Sequence, residues 1–181
     1  SGQQSNRRHA LLDSTRQLNE LCATIRAEGR FAFDTEFIGE YTYTPRLWLV
    51  QVAAGDRLGL VDPERVDLAP FWELVVDPAV ETVVFAGQQD FEICALSTGR
   101  PPANVFDIQV AAALVGTEYP VSYSRLAAEM FGATLGKHET YSDWSRRPLS
   151  RAQLQYAIED IRYLLGMRDR LGELLDKHGR R

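Results

Sequence analysis

Apolar residues recur at helical spacing from the eleventh position: Leu11, Leu18, Leu21, Cys22 and Ile25 share one face, and Gly29 follows as a stop. A helix is therefore predicted over residues 11–28. The period then drops to two. Arg30 to Phe37 alternates as a strand, and Leu47 to Ala53 and Leu58 to Val61 are two more β-like runs separated by a Gly55-Asp56 turn signal. The three together predict an antiparallel meander. A helix from Leu68 to Val76, a buried strand from Thr82 to Ala86 and helices over 88–98, 108–115 and 122–131 follow, with a short strand near Asn104 to Phe106. Thr134 to Pro148 is polar around an embedded Trp144 and reads as a long loop, a feature that in a compact domain tends to carry function. Ser150 and Gln153 have capping-box spacing, and Leu154, Ala157, Ile158, Ile161, Leu164 and Leu165 form the stripe of a final helix in which Gly166 is the predicted bend. The expected fold is α/β, with a mixed sheet flanked by helices.

A chain of 181 residues fits one domain, and its 45% hydrophobic and 25% charged content excludes a disordered chain, a collagen-like repeat or a coiled-coil rod. No apolar run approaches the ~18–20 residues that cross a bilayer, and Ser1 to His9 is polar and Arg-bearing, unlike a secretory signal. Cys22 and Cys94 lie far apart in apolar surroundings, so they are expected to be buried small hydrophobes in a cytoplasmic protein. The net charge of −5 argues against a nucleic-acid partner. That argument weakens if several carboxylates gather in a metal site, where bound divalent ions reverse the local sign. Eighteen of the 20 basic residues are Arg, the side chain suited to bidentate phosphate contacts.

Carboxylates do gather in the pattern. In Phe33-Asp34-Thr35-Glu36-Phe37, strand alternation puts Asp34 and Glu36 on one face and turns Phe33 and Phe37 to the other. Two such acids repel on a dry face unless a divalent cation sits between them, although solvated acids on an edge strand fit the tripeptide as well. Tyr156 and Asp160 stand one helical turn apart, off the apolar stripe, where a phenol can hold a water near a carboxylate; a surface pair would look the same. Asp90 falls in the first turn of a helix after a buried strand, where an acid also complements the helix dipole. Asp107 opens the next helix and reads as its N-cap, a role Asn would fill equally.

Taken together, Asp34, Glu36, Asp90 and Asp160, with Tyr156 four residues before the last, resemble the DEDDy branch of the DEDD 3′–5′ exonuclease superfamily, and within it the ribonuclease D family. The resemblance extends over Tyr43-Thr44-Pro45-Arg46-Leu47, Val50-Gln51-Val52, Val61-Asp62-Pro63, Ala86-Gly87, Ser142-Asp143-Trp144 and Arg147-Pro148-Leu149. It departs at Phe85, where that family often has His, and Gln155 stands where the His-bearing branch would place its histidine.

The resemblance implies a ribonuclease H-like fold and a metal-dependent 3′–5′ exoribonuclease that trims RNA 3′ ends of the tRNA-precursor type and releases 5′-monophosphate nucleotides. It implies two divalent cations, Mg²⁺ or Mn²⁺, with Asp34 bridging them, Glu36 and Asp160 completing one, Asp90 supporting the other through water, and Tyr156 orienting the attacking water. Two such ions would cancel the four site charges and leave the chain near −1, compatible with single-stranded RNA as partner. A DNA exonuclease of the same superfamily and an inactive RNA-binding homologue are the alternatives. Phe37, Lys137, Arg146 and Arg147 are candidate substrate contacts, although alternation favours core packing for Phe37 and each cation would also suit a solvated surface. Trp144 is expected to anchor its loop in the core. Residues 1–10 read as a flexible N-terminus or cloning scar and 11–181 as the catalytic domain, without the helical HRDC domains of full-length relatives.

Overall fold

The computed structural model describes residues 11–38, 46–136 and 142–179. In chain order these form β1 (Leu11–Leu12), α1 (Thr15–Glu28), β2 (Arg30–Ile38), β3 (Arg46–Ala54), β4 (Arg57–Val61), α2 (Ala69–Val75), β5 (Glu81–Val84), α3 (Gln88–Thr98), β6 (Val105–Asp107), α4 (Ile108–Leu114), α5 (Tyr123–Phe131), α6 (Arg151–Arg162) and α7 (Leu164–Lys177). The strands make one mixed sheet in the order β1-β4-β3-β2-β5-β6. The expected antiparallel meander is its β2–β3–β4 part, with β5 parallel to β2 and β6 parallel to β5.

Two boundaries differ from the sequence pattern. Leu11 and Leu12 form a strand parallel to β4, and the helix begins at Thr15 because the Ser14 side chain caps it by accepting from Gln17 N–H. Periodicity alone could not separate two leucines of a strand from the helix stripe behind them. The final helix breaks at Tyr163 and not at Gly166. Gly166 is instead a point of close approach, where an added Cβ would lie 2.9 Å from the Phe131 ring.

Alternation along the strands divides the interior. Phe31 and Phe33 of β2, Val50 and Val52 of β3 and Val84 of β5 pack beneath α1, α2 and α3. Ala32, Ala53 and Val83, adjacent to them along the strands, face α4, α5 and α7. Leu49 and Leu60 meet α6 through Ala157 and Ile158, and Trp144 joins them at 1% exposure, so its loop is anchored in the core as expected. Gln153 makes the capping box with Ser150 and, buried, also donates to Ser142 Oγ and the Asp143 carbonyl.

Arg147 closes the same loop onto the sheet. Its guanidinium makes a bidentate pair with buried Asp62 and donates to the carbonyls of Trp48, Trp144 and Arg146. Burial works against the Asp62 charge, but the bonds from Arg147 and the Glu64 N–H outweigh it and hold the carboxyl below its ordinary range. We expect Arg147→Met to destabilise the chain by about 3 kcal/mol in urea unfolding at pH 7, because a buried carboxylate loses its partner. Asp62 titrates below its unfolded value, so this stabilisation is present above the ordinary Asp range and lost as pH falls below it.

Candidate active site

The alternation that sorts the core also sorts the acids. Asp34 and Glu36 continue the face of Ala32, toward the helices that follow β6, while Thr35 continues the face of Phe33, toward α3. Phe37 lies half-buried against the Phe33 cluster, after a register shift between Glu36 and Phe37. Asp160 comes from α6, on the side of Asp34 and Glu36. One carboxylate oxygen from each of Asp34, Glu36 and Asp160 lies within 4.8 Å of the others.

Such crowding is unfavourable for three charges. Burial, then Asp160, pushes Asp34 up to about 7 against the bond from Thr35 N–H. Burial, then Asp34 and Asp160, pushes Glu36 up to about 9, although Gln51 Nε2 donates to it at 3.1 Å. Burial also lifts Asp160 to about 7, opposed by a hydrogen bond from the Tyr156 hydroxyl. The Tyr156 ring in turn rests against Trp144, with centroids 6.0 Å apart.

Asp90 stands outside this trio. It is buried on α3, where the Thr35 hydroxyl donates to it, and burial followed by the charge of Asp34 raises it to about 8. Asp107 caps α4 as expected, but its carboxylate does more. Oδ1 accepts from Gln109 and Val110 N–H and also from Ala86 N–H at 3.1 Å, while Oδ2 accepts from Gly87 N–H at 3.1 Å. Ala86 is held at φ +51°, where a side chain is strained, and a Cβ on Gly87 would lie 2.6 Å from Val84 Cγ2. This tied turn aims the first turn of α3, and with it Asp90. Asn at 107 would keep the cap through Oδ1, but its amide nitrogen would face the Gly87 N–H that Oδ2 now accepts.

Asp34, Phe85, Tyr123, Tyr156, Asp160 and Leu164 line a cavity of about 200 Å³. Tyr123, Tyr156 and Asp160 also border a wider groove of about 580 Å³ reaching Ser122, Leu135 and Gln155. Of the candidate substrate contacts, Arg146 is exposed and Arg147 has its guanidinium committed to protein acceptors. Lys137 lies outside the described residues, as does His138-Glu139.

Three polar side chains at the site were missed in the sequence. Gln51 pairs across from Asp34 and is fully buried, and its position inside an apolar run was a legible signal. Thr35 and Tyr123 gave none, because each acts on a partner distant in the chain.

A model of the 3′–5′ exonuclease family matches residues 10–176. The chain is 43% identical over 173 residues to ribonuclease D of Granulibacter bethesdensis, covering 94% of this chain and 44% of that protein. Among solved structures it is similar to Escherichia coli RNase D, an exoribonuclease involved in structured RNA processing, at 32% identity and a TM-score of 0.88 over 95% of this chain and 46% of the other. It is also similar to Brucella melitensis NrnC with bound Mg²⁺, at 26% identity and a TM-score of 0.72 over 84% of this chain and 76% of that one. The chain thus spans less than half the length of the ribonuclease D relatives it matches.

The raised acids make stability pH-dependent. They titrate near 7 to 9 in the folded chain and near 4 when unfolded, so the folded state holds protons that the unfolded state releases. Their contribution is fully present below about pH 4 and is lost as pH rises through the folded values. In chelator, the melting temperature should fall between pH 5 and pH 9, and Mn²⁺ should restore most of the loss at the alkaline end. Asp34→Asn should raise the melting temperature in chelator at pH 8 and flatten that slope. Asp107→Asn should lower stability by about 1–3 kcal/mol in urea unfolding, the range for a buried donor left without an acceptor.

Proposed function

The chain belongs to the 3′–5′ exonuclease family, and from that premise we propose that it is a ribonuclease D-like enzyme removing nucleotides from the 3′ ends of single-stranded RNA. The observation that carries this reading is the convergence of Asp34, Glu36 and Asp160, from a strand and a distant helix, with Tyr156 bonded to Asp160 beside an open groove. Ribonuclease D relatives, one of them an exoribonuclease involved in structured RNA processing, support RNA as substrate, and trimming of tRNA-precursor 3′ ends is the role we infer. The two cysteines, buried and unpaired, suit a reducing cytoplasm.

The donor set fits divalent cations. Three carboxylates that burial and neighbouring acids push toward neutrality gain most from a positive charge placed among them, and hard cations prefer oxygen ligands. Asp34, Glu36 and Asp160 would hold one ion, and Asp90, beside Asp34 across the strand, would support a second; a relative solved with Mg²⁺ is in keeping with Mg²⁺ or Mn²⁺. Bound there, the ions would supply the positive charge that polarises a phosphodiester and its attacking water.

The protein's own residues do the rest. Gln51 fixes Glu36, and Thr35 fixes Asp90, so neither acid must be ordered during a cycle. Tyr156 aims its hydroxyl at Asp160, the place from which it can orient a water in line with the scissile bond, and Trp144 holds its ring there. The leaving 3′-oxygen departs with the shortened RNA, and the product is a nucleoside 5′-monophosphate. Exposed Arg146 and, from the same polar loop, Lys137 are the residues we propose for the upstream phosphates, whereas Phe37, on the acid-bearing strand, packs against the Phe33 cluster.

A 5′-labelled single-stranded RNA incubated with Mg²⁺ or Mn²⁺ should shorten stepwise from its 3′ end and yield 5′-monophosphates, faster than a DNA of the same sequence. No metal-dependent shortening of either would overturn the assignment, and faster loss of DNA would replace RNA as the substrate. Asp34→Asn and Asp160→Asn should abolish turnover while the circular dichroism spectrum stays that of the parent. Tyr156→Phe keeps the ring and removes the hydroxyl, so single-turnover cleavage should slow by roughly 30- to 1000-fold, the equivalent of about 2–4 kcal/mol for one positioned hydrogen bond. A parental rate would leave water activation to the carboxylates and their cations.

A further inference from the structure

The break between α6 and α7 lies three residues beyond Asp160, and a side chain from another helix makes it. In an unbroken helix Tyr163 N–H would bond the carbonyl of Glu159. Here the Tyr123 hydroxyl stands between them: it donates to Glu159 O at 2.5 Å and accepts from Tyr163 N–H at 3.3 Å. One oxygen thus serves both groups that the break parts, while Tyr163 N–H is also turned toward the Ile161 carbonyl. Its ring packs edge-on against Phe85, with centroids 5.9 Å apart, and forms a wall of the cavity that holds Asp34, Tyr156 and Asp160. The other end of α5 grips the same joint, since Phe131 stacks on Tyr163 at 5.4 Å.

We propose that Tyr123 is a positioning residue for the acid cluster: by inserting its hydroxyl between Glu159 and Tyr163 it sets the bend that carries Asp160 and Tyr156 to Asp34 and Glu36. Tyr123 need not touch substrate or ion for this. It acts through the Glu159 carbonyl, one residue from Asp160. With the hydroxyl gone, either Glu159 and Tyr163 pair directly and close the break, or the Glu159 carbonyl loses this donor while Tyr163 N–H keeps the Ile161 carbonyl, and in both cases the turn bearing Asp160 loses its fixed place at β2. The proposal rests on the exonuclease reading of the site.

Tyr123→Phe tests it, because the ring and its contact with Phe85 remain. Mn²⁺ affinity, measured by calorimetry, should weaken about 10- to 100-fold, the range for losing a group that orients a metal ligand. Turnover on single-stranded RNA should fall by a similar factor through kcat, with KM changed by less than about threefold, as for misplaced catalytic groups. Leu175→Ala, in the buried far end of α7, serves as the comparison: it should lower the melting temperature while Mn²⁺ affinity and kcat stay parental. Parental Mn²⁺ affinity in Tyr123→Phe, equal losses in Leu175→Ala, or a change confined to KM would each overturn the proposal. A parent chain that binds Mn²⁺ but shortens no RNA would overturn the RNA reading alone and leave the calorimetric comparison decisive for Tyr123. A parent chain that binds no Mn²⁺ would overturn both.

Discussion

The mutual repulsion of buried carboxylates is the constraint to which the rest of this structure answers. Asp34, Glu36 and Asp160 share a space in which burial raises all three, Asp160 raises Asp34, and both of these raise Glu36. A fold left to relax would spread them apart or let in water. What holds them together is a set of polar ties, each with one end in secondary structure. Gln51 reaches Glu36 from the neighbouring strand, Thr35 N–H serves Asp34, and the Tyr156 hydroxyl serves Asp160. All three favour the charged carboxylates, so they oppose the neutralisation that burial promotes. The result is a cluster poised between holding protons and holding cations.

The same logic explains where the structure is most heavily bonded outside its apolar core. Asp107 binds the strained Ala86-Gly87 turn to the start of α4, Gln153 binds the start of α6 to residues 142 and 143, and Arg147 binds that loop to Asp62 and Trp48. Each tie lies at an element end, where backbone groups are left without helix or sheet partners. Each also lies one step behind an acid or behind Tyr156. Apolar packing alone tolerates rearrangement when volume and pattern are kept, whereas bonds that satisfy buried donors fix one geometry.

Much of this was legible in the sequence. Period-two runs gave the three antiparallel strands, the capping box marked the start of α6, and alternation put Asp34 and Glu36 on one face. Local patterns determine such features. The strand at Leu11–Leu12 was not legible because two residues are too few to show a period, and its identity depends on pairing with β4. The bend at Tyr163 was placed at Gly166 because glycine is the local cue for a break, whereas the actual cause is a hydroxyl forty residues earlier in the chain. Asp107 was read as a cap from its place before a helix, and its two bonds across to the Ala86-Gly87 turn needed the β5–β6 register to bring the segments together.

Strand alternation has one more consequence for the chemistry. Thr35 points away from its neighbours and holds Asp90 on the far side of the strand, yet the charges still meet across it: Asp34 raises Asp90, and Asp90 in turn adds to the rise of Glu36. Asp34, Glu36, Asp90 and Asp160 meet here out of 25 acidic residues in the chain, and among the described residues many arginines are paired with acids, as Arg26 with Asp77, Arg46 with Glu64, Arg125 with Glu118 and Glu129, and Arg168 with Glu81. On the proposed exonuclease reading, cations held by Asp34, Glu36 and Asp160 would turn this point from one that repels a phosphate into one that attracts it, and the cavity that Asp34 and Asp160 line is where that phosphate would enter.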